Sequence, residues 1–340
     1  MAIPDYYHIT DAGAGDKSGD SWGNAMDEPA FETHLEGAVV AGEVHFIKDG
    51  SYTLDSDIDS SARDGTAVSP TALIAVKAGT TNEGANVVYS DWSRDASDRP
   101  FFDCNAYLFK VGDFHIVRNL DLEGADVRVL EVGVGGLVEN CKSHNDDAVA
   151  GAQYALNGGA NSAIINCEII SDTGWGSTLS SSGKFLFNYV HDTTDATRGY
   201  GYLMSGNSHT ICFNVFDNCT NGINGTSDET TLVLNNTFYE TDIGVSGTNG
   251  AGWVCINNIM EGNDTAGFKW TTQTDINFFW KNHGDDTRCT DMWDTVDTTT
   301  VFQDYLVSTG DPKFTTPGSD FSLQSDSPNV GSGMSIELGV

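Results

Sequence analysis

Short runs of apolar residues recur along the chain, each followed by an asparagine and then by a stretch in which apolar and polar residues alternate. Successive asparagines of this motif lie 21 to 26 residues apart between residues 114 and 262. The near-constant period predicts a solenoid made of coils of about 22 residues. Seven asparagines mark the repeat: Asn119, Asn140, Asn166, Asn188, Asn214, Asn236 and Asn258.

The segments between these asparagines predict strands. They are short apolar stretches bounded by Gly, Asn, Asp and Ser, and none has helical periodicity. A second signal is a glycine before an apolar residue, at Gly222, Gly244 and Gly267. We expect these glycines to supply the positive φ that turns the chain into the next strand. The predicted fold class is all-β, a right-handed parallel β-helix.

The two ends of the repeat predict caps. Residues 27–36 place acids and a proline at a helix start, with Phe31 and Leu35 on one face. This short helix would cover the open edge of the first coil. Beyond about residue 283 the period decays into a polar tail, which we expect to fold back over the last coil. The predicted organisation is an N-terminal cap at 1–41, the β-helix at 42–282 and an irregular C-terminal cap at 283–340.

The net charge limits the classes of molecule that the protein is expected to bind. Sixteen basic and 49 acidic residues give a net charge of −33, which repels phosphate backbones and anionic lipid surfaces. We therefore expect no nucleic acid partner, and no membrane insertion because no apolar stretch is long enough to span a bilayer. The seven cysteines are odd in number and have no CxxC spacing, so we interpret them as buried thiols.

The chain resembles the pectate-lyase-like β-helix superfamily. Its opening, Tyr6–Gly13 with Gly19–Ala25, and its closing segments, Asp311–Phe314 and Asp320–Leu323, are similar to the ends of many such proteins. The superfamily includes polysaccharide lyases, glycosidases, phage tailspikes and non-catalytic virion proteins, so the resemblance implies a fold more than a function. The stretches 79–84, 91–92 and 99–100 resemble phage β-helix proteins.

The repeated asparagines favour a structural role, as a stack of side chains bonded to turn backbone. Acidic residues follow them three to seven positions later. Neighbouring carboxylates one coil apart repel one another, so this column either points into solvent or binds a hard cation such as Ca²⁺. A catalytic carboxylate pair is the third alternative. The calcium candidates are Asp192, Asp195 and Asp217.

The candidate hydrolase residues are Asp146, Asp147 and, one coil later, Asp172, since an inverting glycosidase needs an acid and a base with room for water between them. The resemblance implies a Gly-His-Gly and an Arg-x-Lys for a polygalacturonase. The chain has only Ser208-His209-Thr210 and a lone Arg198, and this departure weighs against that activity.

A lyase needs a base for the sugar C5 proton and a cation for the uronate carboxylate. Lys184, His191 and Arg198 fall on one or two coils and are the candidates, with ordinary surface placement as the alternative. Tyr200 and Tyr202 share those coils, and with Trp175 they are the candidate carbohydrate-binding residues. Other tryptophans that could stack on sugars or pack at corners are Trp253, Trp270, Trp280 and Trp293.

Two functional hypotheses follow. The first is a non-enzymatic structural or receptor-binding protein of a virion exterior, a decoration protein or tail spike, because the chain lacks both an export signal at its start and a complete catalytic set. It would assemble as a homo-oligomer such as a trimer, or with other virion proteins, and would carry no cofactor other than Ca²⁺. The alternative is an extracellular polysaccharide lyase or glycoside hydrolase acting on acidic polysaccharide.

Overall fold

The computed structural model shows an all-β, right-handed parallel β-helix, as the repeat predicts. Each coil runs through three strands, which belong in turn to sheets A, B and C. None of the helices in the described ranges is long and apolar enough to cross a bilayer. The structure describes residues 6–37, 39–76, 99–124, 128–146, 154–225, 231–248, 252–270, 277–280, 282–284, 293–294, 301–304, 312–316 and 320–327.

Sheet A is the longest of the three and begins each coil. Its strands pair in parallel along the whole sheet. In order, its twelve strands are β1 (Tyr6–Ile9), β2 (Val44–Ile47), β5 (Thr71–Ala75), β8 (His115–Arg118), β11 (Leu137–Glu139), β14 (Ala163–Ile165), β17 (Lys184–Leu186), β20 (Thr210–Cys212), β23 (Thr231–Leu234), β26 (Trp253–Ile256), β29 (Asn277–Trp280) and β32 (Val301–Asp304).

Sheet B follows sheet A across a tight corner. Its ten strands are β3 (Ser51–Thr53), β6 (Phe101–Asp103), β9 (Asp121–Gly124), β12 (Lys142–Asn145), β15 (Glu168–Ser171), β18 (Tyr189–His191), β21 (Val215–Asp217), β24 (Thr237–Tyr239), β27 (Ile259–Glu261) and β30 (His283–Gly284).

Sheet C completes each coil. Its ten strands are β4 (Ile58–Asp59), β7 (Phe109–Val111), β10 (Arg128–Val132), β13 (Tyr154–Gly158), β16 (Trp175–Leu179), β19 (Tyr200–Met204), β22 (Asn221–Gly225), β25 (Ile243–Gly247), β28 (Ala266–Trp270) and β31 (Trp293–Asp294).

The core lies inside the coils and is one continuous apolar column. Alternate strand residues point inwards and stack on their equivalents one coil away. Phe216 and Phe238 of sheet B form such a pair, with ring centroids 5.1 Å apart, and the ring of Phe185 from sheet A lies 6.2 Å from that of Phe216. The six cysteines of the described residues are buried and free, which confirms their interpretation as thiols. Cys289 lies outside the described residues.

The corner between sheets A and B carries the asparagines, but in two neighbouring positions. Asn119, Asn140 and Asn166 have positive φ themselves, and their side chains bond to one another at 2.7 and 3.1 Å. In later coils the positive-φ residue comes one position earlier than the asparagine, at Phe187 and Phe213 for example. The asparagines then occupy the buried position after it, which forms a second ladder of Asn188, Asn214, Asn236, Asn258 and Asn282.

The glycines of sheet C correct one prediction. Gly222 and Gly244 lie within strands and do not have positive φ. They are the second residues of successive strands, and a Cβ on Gly222 would come 2.7 Å from the carbonyl oxygen of Gly244. Glycine is needed here because adjacent coils approach too closely for any side chain, not because the chain turns.

The N-terminal helix is present where the sequence predicts it. Helix α1 (Glu28–Gly37) follows a 3-10 helix at Trp22–Asn24 and buries Phe31 and Leu35. The Asp27 side chain caps α1, accepting from the backbone N–H of Ala30 at 3.2 Å. Strand β1 precedes α1 and already pairs with β2, so sheet A begins inside the segment predicted as a cap.

Sheets A, B and C continue past residue 282 through strands β30 to β32, so their pairing extends beyond the predicted end of the β-helix. A final antiparallel hairpin, β33 (Phe314–Thr316) and β34 (Asp320–Leu323), follows. Its Phe314 and Phe321 rings lie 6.1 and 5.5 Å from the ring of Tyr239. The hairpin therefore packs against the outer face of sheet B. The phage-like stretches at 79–84 and 91–92 lie outside the described residues.

Candidate functional site

The outer face of sheet C carries a column of aromatic side chains. The first and fourth residues of its five-residue strands point outwards, while the third and fifth are buried. In-register pairing places Tyr154 beside Trp175 and Trp175 beside Tyr200 on three successive coils. Their ring centroids are 4.6 and 6.4 Å apart. We call Tyr154, Trp175 and Tyr200 the aromatic column.

Cationic side chains border the aromatic column. The Arg198 guanidinium lies 5.9 Å from the centre of the Trp175 ring, within the range of a cation–π contact. Arg128 stands in register with Tyr154 one coil earlier and forms an ion pair with Glu131. In a chain with 16 basic residues, two arginines beside three aromatic rings make this a cationic and aromatic part of an otherwise acidic surface.

A groove of about 280 Å³ opens beside the same face. It lies at the ends of strands β7, β10, β13 and β16 and is lined by Lys110, Glu131, Asn157 and Ser180, among others. Lys110 pairs with Asp59 at 3.4 Å. The groove thus adds hydrogen-bonding groups at the opposite ends of strands that begin in the aromatic column, an arrangement suited to a polar ligand.

The turn from sheet B to sheet C carries an acid–imidazole cluster. The two ring nitrogens of His144 lie 3.3 Å from the Glu123 carboxylate and 3.3 Å from that of Asp172. Asp146 and Asp172 occupy equivalent positions of adjacent coils, directly after the paired Asn145 and Ser171. Burial, and then the charge of Glu123, raise the pKa of Asp146. A carboxyl with a raised pKa beside a second carboxylate is an arrangement that acid–base catalysis can use.

His191 forms a second acid–imidazole contact on the same face of sheet B. Its ring nitrogens lie 2.8 Å from Asp192 and 3.4 Å from Glu168. Burial lowers the pKa of His191, but the hydrogen bonds to Glu168 and Asp192 outweigh it, and the net pKa is raised. His191 is therefore a candidate proton donor or cation near neutral pH.

The carboxylates of the three calcium candidates each accept hydrogen bonds from neighbouring side chains or backbone. Asp192 also accepts from Asn218 Nδ2 at 2.7 Å, and Asp217 accepts from the Tyr189 hydroxyl at 2.9 Å. One oxygen of Asp195 accepts from the backbone N–H groups of residues 197 and 198. In the part of the chain that the structure describes, these three carboxylates do not form a metal-ligating cluster.

The structure separates the remaining predicted site residues. Lys184 is exposed on sheet A, away from His191 on sheet B and Arg198 before sheet C. Tyr202 is fully buried and faces the core, where its hydroxyl lies 2.9 Å from Nδ1 of His209. Its ring is therefore not available to stack on a sugar. Trp253 and Trp270 are also buried in the core. Asp147 and the side chains of Trp280 and Trp293 lie outside the described residues.

Sequence reasoning missed Tyr154 and Arg128. Both occupy the position of Trp175 in earlier coils. Counting one coil back from Trp175 would have found Tyr154, because the repeat fixes which residues share a column.

Comparison with known proteins shows the fold. No protein-family model and no curated protein sequence matches the chain. Among solved structures, the pectate lyase Pel9A is 15% identical with a TM-score of 0.54, over 96% of this chain and 91% of that one. A structure described as a rhamnogalacturonan lyase is 12% identical with a TM-score of 0.56, over 87% and 86%. A lacto-N-biosidase from Eubacterium ramulus is 11% identical with a TM-score of 0.55, over 84% and 65%. The chain therefore has the pectate-lyase-like β-helix fold.

Proposed function

We propose that this protein is a polysaccharide-cleaving enzyme that binds an extended acidic glycan along the outer face of sheet C. The observation that carries the proposal is the aromatic column of Tyr154, Trp175 and Tyr200, with Arg128 and Arg198 beside it. Aromatic rings offer an apolar floor to sugar rings, and guanidinium groups recognise carboxylates. The combination suits a chain of uronic acid units.

The acid–imidazole cluster supplies the reactive groups of the proposed enzyme. Asp172 lies three residues before Trp175, so the cluster begins within about 10 Å of chain from the aromatic column. We propose Asp146, whose pKa is raised, as the proton donor to the leaving oxygen, and Asp172 with His144 as the base. The base would take a proton from water in hydrolysis, or from the sugar in elimination.

The shared fold supports a carbohydrate-active function over the virion hypothesis. The solved structures named above include lyases and a glycosidase, and nothing in these comparisons favours a virion role. The virion surface, the homo-oligomer and the bound Ca²⁺ stay predictions of the sequence.

The test is an assay of the purified chain on pectate, alginate and bacterial capsular polysaccharides, each with and without Ca²⁺. A lyase releases an unsaturated product that absorbs in the ultraviolet, whereas a hydrolase releases reducing ends without that absorption. Trp175→Ala is expected to lower kcat/KM at least about tenfold, or on the order of 1.4 kcal/mol, mainly by raising KM. Asp172→Asn is expected to lower kcat.

Phe187→Ala is the matched control for Trp175→Ala. Phe187 is an exposed aromatic residue, stacked on Phe213 at 5.0 Å on the corner after sheet A, away from the aromatic column. If the Trp175 and Phe187 variants have equal activity, the aromatic column does not bind the glycan. Absence of cleavage of every glycan tested would overturn the proposal of an enzyme for acidic polysaccharide.

A further inference from the structure

Three side chains of the metal-ligand type meet where helix α1 packs on the first coils. His34 comes from α1, Glu43 immediately precedes β2, and His45 lies within β2. Glu43 and His45 are two residues apart on an extended segment and so point to the same side. All three are buried or nearly so, with side-chain exposures of 11, 4 and 0% for His34, Glu43 and His45.

The spacing of the three donor atoms matches that of a bound ion. Oε2 of Glu43 lies 3.0 Å from Nε2 of His34 and 3.7 Å from Nε2 of His45. All three donor atoms lie within 4.8 Å of one another. Ligands that bind zinc tetrahedrally at about 2.0–2.2 Å lie roughly 3.3 Å apart. The two distances from Glu43 therefore differ from this spacing by only a few tenths of an ångström.

The hydrogen bonds of His45 leave one polar atom without a partner. Its Nδ1 lies 3.3 Å from the carbonyl oxygen of Ala72, an acceptor only, so Nδ1 carries the proton. Nε2 then presents a lone pair, is fully buried, and has no hydrogen-bond partner. The nearest charged oxygen, on Glu43, is a second acceptor. Oε2 of Glu43 already accepts a hydrogen bond from Nε2 of His34 at 3.0 Å, whereas Nε2 of His45 faces the same oxygen with no donor between them. A cation at this point would satisfy Nε2 of His45, which otherwise stays unpaired at a cost of about 1–3 kcal/mol.

We propose that His34, Glu43 and His45 bind a Zn²⁺ ion, with water or another small ligand in the fourth position. Two imidazole nitrogens and one carboxylate oxygen suit zinc, whereas calcium requires oxygen ligands throughout. The Ala72 carbonyl holds the His45 ring in the ligating tautomer, as an outer-shell acceptor does in metal sites. The rings of Tyr7 and Phe31 pack against the cluster, with centroids 5.4 and 6.0 Å from the centroid of the His45 ring.

The position of this site indicates that the ion would stabilise the packing of helix α1 on sheet A. It would join the capping helix to sheet A through ligands that lie on separate elements. Because the ligands come together only in the folded chain, the free energy of metal binding would add to the stability of the cap.

The test is metal binding by the full chain, stripped with chelator and then titrated with Zn²⁺ or Co²⁺ alone. We expect about one equivalent of zinc per chain by elemental analysis, visible absorption of tetrahedral Co²⁺, and a higher melting temperature with zinc. His34→Ala should abolish all three effects. His34 lies at the edge of the site, and circular dichroism checks that the variant keeps its β-helix.

The matched control is His191→Ala, which removes a histidine that also sits between two carboxylates but belongs to no such cluster. It should bind zinc as the unaltered chain does. Glu43→Gln keeps the size of the side chain and should weaken binding at least about tenfold. No zinc bound above background by the unaltered chain, or equal binding by the His34 variant, would overturn the proposal.

Discussion

The backbone N–H and the side-chain Nδ2 of Asn188 both donate to one oxygen, Oδ1 of Asn214, at 2.9 and 3.1 Å. Asn214 repeats the arrangement with Asn236 and also donates to the carbonyl oxygen of Phe185 at 2.9 Å. These groups are buried, so each asparagine satisfies backbone atoms of the coils on either side of its own.

Asn214→Ala is expected to lower the free energy of unfolding by about 2–4 kcal/mol, since it leaves buried groups of Asn188 and Phe185 without partners. Urea unfolding followed by circular dichroism measures the change. Asn157→Ala, at a half-exposed position on sheet C, is the control and should change stability by less than about 0.5 kcal/mol. A similar loss in both variants would refute the structural role of the inner ladder.

Gly222→Ala is expected to destabilise the chain by more than about 2 kcal/mol, because its methyl group would meet the Gly244 carbonyl oxygen at 2.7 Å. Gly37→Ala is the control. Apart from its chain neighbours and the nearby helix backbone, nothing lies within 4 Å of the added Cβ at residue 37, which ends helix α1. Thermal unfolding should show a clear loss for the first variant and none for the second.

Glu32 makes stability depend on pH. Burial, and then the neighbouring Glu28 carboxyl, raise the pKa of Glu32 to about 8. A carboxyl whose folded-state pKa lies above the ordinary glutamate pKa of 4.5 keeps its proton in the folded chain, so stability falls as pH rises from 4.5 towards 8. Glu32→Gln should therefore stabilise the protein by about 1–3 kcal/mol near pH 8 and have little effect near pH 4.

Glu36→Gln is the control for the Glu32 variant, because it makes the same chemical change at an exposed position of helix α1. Unfolding free energies of both variants across this pH range decide the question. Equal pH profiles for the two variants would contradict a protonated Glu32.

The contribution of His191 to stability also falls as pH rises. Its pKa is raised in the folded chain, since the carboxylates of Glu168 and Asp192 outweigh burial. Its contribution to stability is therefore complete below the ordinary histidine pKa of 6.5 and is lost as pH rises through the folded-state pKa. Asp192→Asn should lower the pKa of His191, which an NMR titration of the imidazole measures directly.

The loss of stability in Asp192→Asn should be larger at about pH 5.5 than at about pH 8.5. Asp195→Asn is the control, because Asp195 bonds to its own turn and makes no hydrogen bond to His191. An unchanged imidazole titration in Asp192→Asn would show that Asp192 does not hold the proton on His191.

The fold follows from the sequence because a solenoid repeats its pattern in every coil. The asparagine period and the apolar runs predict the strands and the corner, and both predictions are confirmed. Tyr202 shows where simple alternation fails. Tyr200 and Tyr202 are two residues apart, but Gly201 and Tyr202 are both buried, so the strand departs from strict alternation and only Tyr200 faces outwards. A Cβ on Gly201 would lie 2.9 Å from the carbonyl oxygen of Gly222 in the next coil.

The candidate sites are harder to predict because they join different parts of a coil or different elements. His34 and His45 meet through the packing of a helix on a strand, which no repeat encodes. Of the three residues, only Glu43 and His45 could be noticed in the sequence, because they are polar residues that alternate with apolar ones at the start of a strand. For the aromatic column, Trp175 and Tyr200 could be chosen from sequence, while their direction depends on the structure.

The corner between sheets A and B determines how the solenoid can be lengthened. A coil counted from one positive-φ residue to the next, such as Phe213–Leu234, could be duplicated in tandem, adding about 4.8 Å of length with the same side chains facing inwards. A block counted from Asn166 to Asn188 would carry one residue too many, since these asparagines occupy different corner positions. That single extra residue would move the inward-facing side chains of every following strand to the outer face. The boundaries of an inserted coil should therefore be chosen from the backbone conformation, not from the asparagine spacing.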